Sequence, residues 1–320
     1  MKYTNLSLVL TDRCTAACDF CGFSCGPDRR QVMPEELMTR MIRESAEMGF
    51  KCLGFSGGEP FLYPELLIEG AQLAHELGMR VVIASNGFWG AWDKARIRDT
   101  LEKIKPSTVS FSYDFFHRKY VSEEALRQAV GECRKLDINA PIYVADMLGE
   151  YSAGRFIQSL DNLTKYGTSF KLYPAYRCGR AANLPEDMFL SLIRRDNLTC
   201  QSARTLSVLF NADVYPCCQY QVLDSQLKLG NVEGKALKAV VEGSDVPKVC
   251  DVLMNNERFN RLLELAGQEG IEIPEKVSGA CDYCRMLFGT KENREKMQPH
   301  VEALYGEMVV ASLLREAGIQ

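Results

Sequence analysis

The first half of this chain alternates short apolar segments with longer amphipathic segments at a period of roughly thirty residues, which is the length of a βα repeat. Each apolar segment is short and often β-branched, as buried parallel strands are. The segments between them are typical of helices, and the first has Pro34 near its start and Gly49 at its end. The predicted strands are Leu6–Leu10, Cys52–Ser56, Val81–Ser85, Thr108–Ser112, Ile142–Ala145 and Phe170–Tyr173.

Six βα units predict an α/β fold with a wound parallel sheet that closes partly into a TIM-like (βα)6 barrel. An open doubly wound sheet fits the same pattern and stays an alternative at this point. The helices after the first are predicted at Pro64–Leu77, Ala91–Ile104, Ser122–Leu136 and Ser152–Tyr166.

After about Pro185 the regular rhythm ends, and residues 199–290 contain six cysteines with less regular structure between them. We therefore predict three parts: the barrel over residues 1–185, a small metal-stapled domain over 186–290, and a C-terminal segment over 291–320. The last segment has the pattern of an amphipathic helix interrupted by Pro299.

Charge and hydropathy predict that the protein is cytoplasmic. The net charge of −4 does not predict the basic surface that binds nucleic acid or an anionic membrane. The N-terminal segment meets Asp12 and Arg13 before a signal-peptide core is complete, and no apolar run approaches the ~20 residues of a membrane span. Thirteen cysteines in a reducing compartment indicate metal binding or catalysis rather than disulfides.

Three of these cysteines, Cys14, Cys18 and Cys21, follow the first predicted strand with the spacing C-x3-C-x2-C. A loop this tight can wrap three thiolates around a cubane cluster and leave one iron open to an exchangeable ligand. The alternative is a structural zinc site, which normally has four protein ligands and which Cys25 could complete.

The triplet, with the aromatic Phe20 before its last cysteine, resembles the radical SAM superfamily. The segment "SGGEP" (Ser56–Pro60) after the second strand strengthens the resemblance. The resemblance implies a 4Fe–4S cluster on the three cysteines and S-adenosylmethionine bound beside it. In this family the Gly-Gly-Glu segment receives the amino group of S-adenosylmethionine, which transfers to Gly57, Gly58 and Glu59. Glu59 would either anchor its loop or balance the ammonium group.

Two further segments extend the resemblance, which covers about residues 5–185. Ser85 and Asn86, at the end of the third strand, are expected near the ribose and the methionine part of the cofactor. Arg180, after the sixth strand, is expected to pair with the methionine carboxylate as a fork-shaped donor. The alternatives are an ordinary turn at Ser85 and a surface salt bridge at Arg180.

A second set of cysteines, Cys200, Cys217, Cys281 and Cys284, has the pattern C-x16-C followed by C-x2-C. Four thiolates with a terminal C-x2-C can close around a cubane cluster or a zinc ion. The set resembles the auxiliary-cluster half of the SPASM and twitch radical SAM enzymes. Ala212 stands where those enzymes usually have glycine, and no cysteine follows Cys284, so a truncated version with one auxiliary 4Fe–4S cluster is expected.

Cys217 and Cys218 are adjacent, and successive side chains of an extended segment point to opposite faces. If Cys217 faces the auxiliary cluster, Cys218 faces away from it, although the reversed assignment is also open. Among the remaining cysteines, Cys52 and Cys133 are expected to fill the core, whereas Cys178 and Cys250 are ambiguous.

The segments "SNGFWG", "SYDFFH", "VYPCC" and "CDYCRMLF" together resemble the peptide epimerases of the YydG/EpeE type. The resemblance implies conversion of L- to D-residues in a ribosomally synthesised precursor peptide, with Cys218 as hydrogen-atom donor and an electron donor such as flavodoxin or ferredoxin. Arg204 and Thr205 stand where that family has an acidic residue. Tyr113, Asp114 and His117 are expected to line the substrate site, or Asp114 to cap a strand end.

Two other functions compete with epimerisation. One is a radical SAM peptide cyclase that forms thioether or carbon–carbon cross-links. The other is a zinc-stapled binding protein without redox chemistry. Because the sequence starts almost at the first barrel strand, we expect no separate N-terminal domain for peptide recognition.

Overall fold

Six parallel strands follow one another in the sheet in the same order as in the chain. They are seen in a computed structural model that describes residues 3–160, 169–194 and 198–317. The strand prediction is confirmed to within one residue at each end. The strands are β1 (Asn5–Val9), β2 (Cys52–Ser56), β3 (Arg80–Ser85), β4 (Thr108–Ser112), β5 (Ile142–Asp146) and β6 (Phe170–Pro174).

A helix precedes each of the strands β2 to β6, and local sequence signals set where some of these helices begin. The side chain of Asp93 accepts a hydrogen bond from the backbone N–H of Arg96, and Ser122 does the same for Ala125. Residues 161–166 of the helix predicted at Ser152–Tyr166 lie outside the described residues. The helices are α1 (Glu35–Glu47), α2 (Pro64–Glu76), α3 (Lys94–Ile104), α4 (Glu123–Lys135) and α5 (Ala153–Gln158).

The sheet continues past β1 into the second half of the chain. A short strand, β7 (Ile193–Arg194), is followed by β8 (Thr205–Leu209), which pairs in parallel with β1 and sets Asn5 opposite Thr205. Antiparallel strands β9 (Asp213–Tyr215) and β10 (Gly230–Asn231) complete a nine-stranded sheet. The mixed α/β architecture is that of a partial TIM-like barrel, and its sheet does not end at the predicted boundary of residue 185.

Side chains of the first four strands alternate between two faces of very different character. Large apolar side chains such as Leu8, Leu53 and Phe111 are buried in the core that the helices cover. The opposite face of these strands lines a cavity with small or polar residues: Asn5, Ser7, Cys52, Gly54, Ser56, Val82, Ala84, Ser110 and Ser112. Small inward residues leave the concave side of the sheet open, and the cavity has a volume of about 750 Å³.

The C-terminal part is mostly helical and packs around its own apolar core. Its last helix, α10 (Lys291–Glu316), runs through Pro299 without a break, so the predicted interruption at this proline is wrong. A proline in the helix interior removes one backbone donor, but the neighbouring Met297 and Val301 are buried in the core and hold the helix in place. The remaining elements are α6 (Leu237–Glu242), α7 (Val246–Met254), α8 (Asn256–Gln268), β11 (Lys276–Val277) and α9 (Ala280–Phe288).

Within the three described ranges, none of the helices combines the length and the hydropathy of a transmembrane span.

Candidate functional site

The loop that follows β1 contains the first three cysteines. Cys14 and Cys18 are buried and Cys21 is partly buried. The loop is closed by the backbone N–H of Cys14, which donates a hydrogen bond of 3.1 Å to the carbonyl of Gly26. Burial raises the pKa of Cys14 to about 12, and the neighbouring carboxylate of Glu59 acts in the same direction.

Cys25 lies beside this triplet. Its thiol is hydrogen-bonded to Cys21, and this bond lowers the pKa of Cys21 to about 6. No three or more His, Cys, Asp or Glu side chains in the described part of the chain are arranged to hold a single metal ion. Three thiols in one loop nevertheless fit the donor chemistry of a cubane cluster, whose ligands bind to separate irons.

The Gly-Gly-Glu segment after β2 packs directly on the backbone of the cysteine loop. The N–H of Gly58 donates to the carbonyl of Thr11 at 2.7 Å, and the N–H of Glu59 donates to that of Arg13 at 2.9 Å. A Cβ atom on Gly58 would lie 2.0 Å from the Arg13 oxygen, and Gly57 has a φ of +133°. Glycine is therefore required here so that two backbone segments can touch.

Glu59 is completely buried and its carboxylate is fully engaged. Its Oε1 accepts hydrogen bonds from the N–H of Phe61 and the hydroxyl of Ser85, and its Oε2 accepts one from the N–H of Asn86. Burial raises the pKa of Glu59 to about 7, against the effect of these three bonds. Of the two expected roles for Glu59, the structure shows the anchoring of loops.

The two polar residues at the end of β3 have different surroundings. The hydroxyl of Ser85 donates a hydrogen bond to Glu59 and accepts bonds from the N–H of Gly87 and the indole N–H of Trp89. Its hydrogen-bonding capacity is therefore satisfied within the protein. Asn86 donates through Nδ2 to the Thr15 hydroxyl at 3.0 Å and lies 3.6 Å from the Cys14 sulfur. Asn86 therefore joins the end of β3 to the cysteine loop.

Arg180 also lies against the cysteine loop. Its Nε donates to the carbonyl of Cys18 at 2.9 Å, and its backbone N–H donates to that of Cys21 at 3.1 Å. Its Nη2 atom is buried and has no hydrogen-bond partner among the described residues. A buried guanidinium nitrogen without a partner fits an anionic group of a bound cofactor better than a surface salt bridge.

His117 lies beside Cys18, and Asp114 is the hydrogen-bonded neighbour of His117. His117 Nδ1 is 2.9 Å from Asp114 Oδ1. Burial alone would lower the pKa of His117, but the carboxylate of Asp114 and the sulfur of Cys18 outweigh it and raise this pKa well above its ordinary value. Phe20 packs against the His117 ring, and neither Tyr113, Asp114 nor His117 lines the cavity. The expectation that these three residues line the substrate site stays a prediction.

The second set of cysteines meets at the cavity from separate elements. Cys200 precedes β8, Cys217 follows β9, and Cys281 and Cys284 lie on α9; all four line the cavity. Burial raises the pKa of each of these thiols. Their chemistry fits a sulfur-ligated cluster, although residues about 80 positions apart in the chain have to be brought together to form it.

Cys217 and Cys218 both line the cavity but differ in their other surroundings. Cys217 packs on the C-terminal apolar core together with Cys200 and Cys284. Cys218 is exposed, but to the cavity, and its sulfur is hydrogen-bonded to the side chain of Thr205 on β8. Burial by the cavity walls raises the pKa of Cys218, so its thiol stays protonated near neutral pH.

The other cysteines are buried. Cys133, on α4, lies in the core that the helices cover, and Cys250 lies in the C-terminal core. Cys52 is buried but also lines the cavity, so it does more than fill the core. The thiol of Cys178 is 3.6 Å from the carbonyl of Tyr176.

This chain is similar to a known protein family, to single proteins and to solved structures. The family model of the radical SAM superfamily matches residues 8–172. A Bacillus subtilis (strain 168) protein described as a peptide biosynthesis protein, YydG, is 24% identical over 322 residues, which cover 96% of this chain and 99% of the relative. A GTP 3',8-cyclase of Haemophilus influenzae (strain PittEE) is 26% identical over 122 residues, 37% of this chain and 36% of the cyclase.

Among solved structures, that of anSMEcpe with bound AdoMet superposes with a TM-score of 0.56. The two sequences are 15% identical, and the superposition covers 95% of this chain and 99% of the other chain. At this identity the similarity concerns the fold alone.

Proposed function

Because the chain belongs to the radical SAM superfamily, we propose that it epimerises L- to D-residues in a ribosomally synthesised precursor peptide. The observation that carries this proposal is the position of Cys218, a protonated thiol that is exposed to a substrate-sized cavity beside Cys217, which lines the same cavity and packs on the C-terminal core. The relative described as a peptide biosynthesis protein supports the peptide as substrate class.

The cofactors of the superfamily are a 4Fe–4S cluster and S-adenosylmethionine, and together they supply a 5′-deoxyadenosyl radical that removes a hydrogen atom from a peptide Cα. Cys14, Cys18 and Cys21 would hold the cluster. The unpartnered Nη2 of Arg180 would bind the methionine carboxylate, and Gly57, Gly58 and Asn86 would border the rest of the cofactor. Glu59 and Ser85 would act by holding these segments together.

Cys218 would complete the reaction from the other side of the carbon. A planar Cα radical has no configuration, and a thiol fixed on the opposite face gives it a hydrogen atom and thereby sets the D-configuration. The oxidised sulfur must then regain an electron and a proton. Cys200, Cys217, Cys281 and Cys284 would hold one auxiliary 4Fe–4S cluster close enough to deliver that electron, and flavodoxin or ferredoxin would reduce the enzyme from outside.

The three predicted parts of the chain would then have separate tasks. Residues 1–185 would bind the cluster and S-adenosylmethionine, residues 186–290 the auxiliary cluster, and residues 291–320 would support the C-terminal core. The reducing cytoplasm is the compartment that suits these thiols.

Turnover in heavy water tests the proposal. The anaerobically reconstituted enzyme is incubated with synthetic candidate precursor peptides, and the product is analysed by mass spectrometry and by chiral amino-acid analysis. Epimerisation adds one solvent deuterium per modified residue, whereas a thioether or carbon–carbon cross-link removes two hydrogens. The variant C218A should still form 5′-deoxyadenosine but no D-residue. Full epimerisation by C218A would refute the donor assignment.

Metal analysis tests the third function. A colourless, zinc-loaded protein that does not cleave S-adenosylmethionine would show a binding protein instead of a radical enzyme.

A further inference from the structure

The side-chain amide of Gln221 is buried at the cavity without a hydrogen-bond partner. Gln221 is 4% exposed and lines the cavity, and within the described residues neither its Oε1 nor its Nε2 finds a partner. Gln219, two residues earlier, differs, because its Nε2 donates to the Ser202 hydroxyl at 3.1 Å. A buried amide that lacks both partners costs stability, and native proteins rarely keep such a group unless a ligand uses it.

The cavity indicates which ligand this amide meets. Among the described residues that line it there is no Asp, Glu, Lys, Arg or His, so none of them offers an ion pair to the group that Gln221 binds. A side-chain amide offers one acceptor and one donor group, and its best partner presents a donor and an acceptor at the same edge. A peptide residue in extended conformation does so, because its N–H and C=O point to the same side, as in an antiparallel ladder.

We propose that Gln221 is a subsite for the backbone of one extended residue of the bound peptide, to which its amide acts like a neighbouring strand. This inference rests on the proposed function for the identity of the ligand. Gln221 and Cys218 belong to one short segment that lines the cavity. The same segment therefore binds the peptide through Gln221 and contains the hydrogen donor, Cys218. Because Gln221 would bind only the backbone, the side chain of the bound peptide residue would contact the other residues that line the cavity.

The adenine edge of S-adenosylmethionine also presents a donor beside an acceptor. The residues that would border the cofactor, such as Glu59, Asn86 and Arg180, are absent from the cavity lining, whereas Cys218 and Gln221 are part of it. The placement therefore favours the peptide.

The test uses two small probes that need no turnover. N-acetyl-L-alanine N-methylamide carries both backbone groups, and O-acetyl-L-lactic acid N-methylamide replaces the residue's N–H by an ester oxygen. Both are titrated by ligand-observed NMR against the anaerobic holoenzyme with S-adenosylmethionine bound. We expect the wild type to bind the amide probe about fivefold more tightly than the ester, as for one hydrogen bond.

Variants at residue 221 localise that preference. Q221M keeps the length of the side chain and should bind both probes equally, whereas Q221E keeps an acceptor oxygen and should retain the preference for the amide. The matched control Q72M, on the exposed face of α2, should behave as wild type. Formation of 5′-deoxyadenosine without peptide reports that each variant is folded and loaded.

Two results would overturn the subsite. One is an unchanged amide preference in Q221M. The other is a loss of S-adenosylmethionine affinity in Q221M with probe binding intact, which would assign the amide to adenine. Because the probes are not turned over, absence of D-residues in the heavy-water experiment would refute epimerisation and leave this subsite standing.

Discussion

The backbone N–H of Asn86 lies 2.8 Å from Oε2 of Glu59, and this bond joins the end of β3 to the end of β2. Through the hydrogen bond from Glu59 N–H to Arg13 and the contact of Asn86 with Cys14, both strand ends are joined to the cysteine loop. Glu59 and Asn86 together therefore fix three segments of the site relative to one another.

Glu59 should make the stability of the metal-free protein depend on pH. Its pKa is about 7 in the folded state, against an ordinary value of 4.5. The folded state thus holds this proton more tightly, and the stabilisation is lost as the pH rises from about 4.5 to about 7. At about 1.4 kcal/mol per pKa unit, the loss is roughly 3 kcal/mol.

Urea unfolding of wild type and E59Q between pH 4 and about 8 checks this prediction, since the variant lacks the titrating group. E59Q should be less stable than wild type at low pH, because one carboxylate oxygen becomes an amide nitrogen that cannot accept a hydrogen bond. Depending on the orientation of the amide, the bond from Asn86 or the bonds from Ser85 and Phe61 are lost. The difference from wild type should shrink toward high pH. Parallel pH profiles would show that the pKa of Glu59 is the same in the folded and the unfolded state.

Iron content should separate the two sets of cysteines. The reconstituted wild type should bind about eight irons per chain, as two 4Fe–4S clusters require. Both C14A and C281A should bind about four, because each loses one ligand of a different cluster. C133A is the matched control, since Cys133 is buried in the core away from both sets. Four irons in the wild type, or eight in C281A, would argue against the auxiliary cluster.

Thr205 should influence the rate of hydrogen donation by Cys218. Its side chain is hydrogen-bonded to the Cys218 sulfur, and its hydroxyl accepts a bond from Asn5 Nδ2 at 3.3 Å. Loss of a bond of about 1 kcal/mol in T205V should slow formation of D-residues about fivefold and leave 5′-deoxyadenosine formation without peptide unchanged. T39V makes the same chemical change on α1 and should have no effect. Equal rates in T205V and wild type would show that Thr205 does not position the thiol.

Two glycine-to-alanine changes should have opposite effects on stability. In G58A the new Cβ meets the Arg13 oxygen at 2.0 Å, so the cysteine loop must shift at a cost of about 1–3 kcal/mol. In G131A, on α4, no atom lies within 4 Å of the new Cβ, and the helix should gain about 0.5–1 kcal/mol. Thermal unfolding of both variants measures the contrast. A stable G58A would mean that the two loops are not in contact in solution.

The sequence by itself determined the strands β1 to β6 and the order in which they pair. Each strand is marked by its own apolar pattern and each helix by its own periodicity, and neighbours in the chain are neighbours in the sheet. The same local signals placed the cysteine triplet and the Gly-Gly-Glu segment at the ends of adjacent strands. The opposite directions of Cys217 and Cys218 stay a prediction, because alternation requires extended backbone and both residues line the same cavity just beyond β9.

Only the tertiary structure decided what these segments meet. The pairing of β8 with β1 joins Asn5 to Thr205 across 200 positions of the chain, and no local pattern encodes it. The same holds for the position of His117 beside Cys18 and for the continuity of α10 through Pro299. The unpartnered amide of Gln221 has no sequence signal at all, because whether a buried polar group has a partner depends on every segment packed around it.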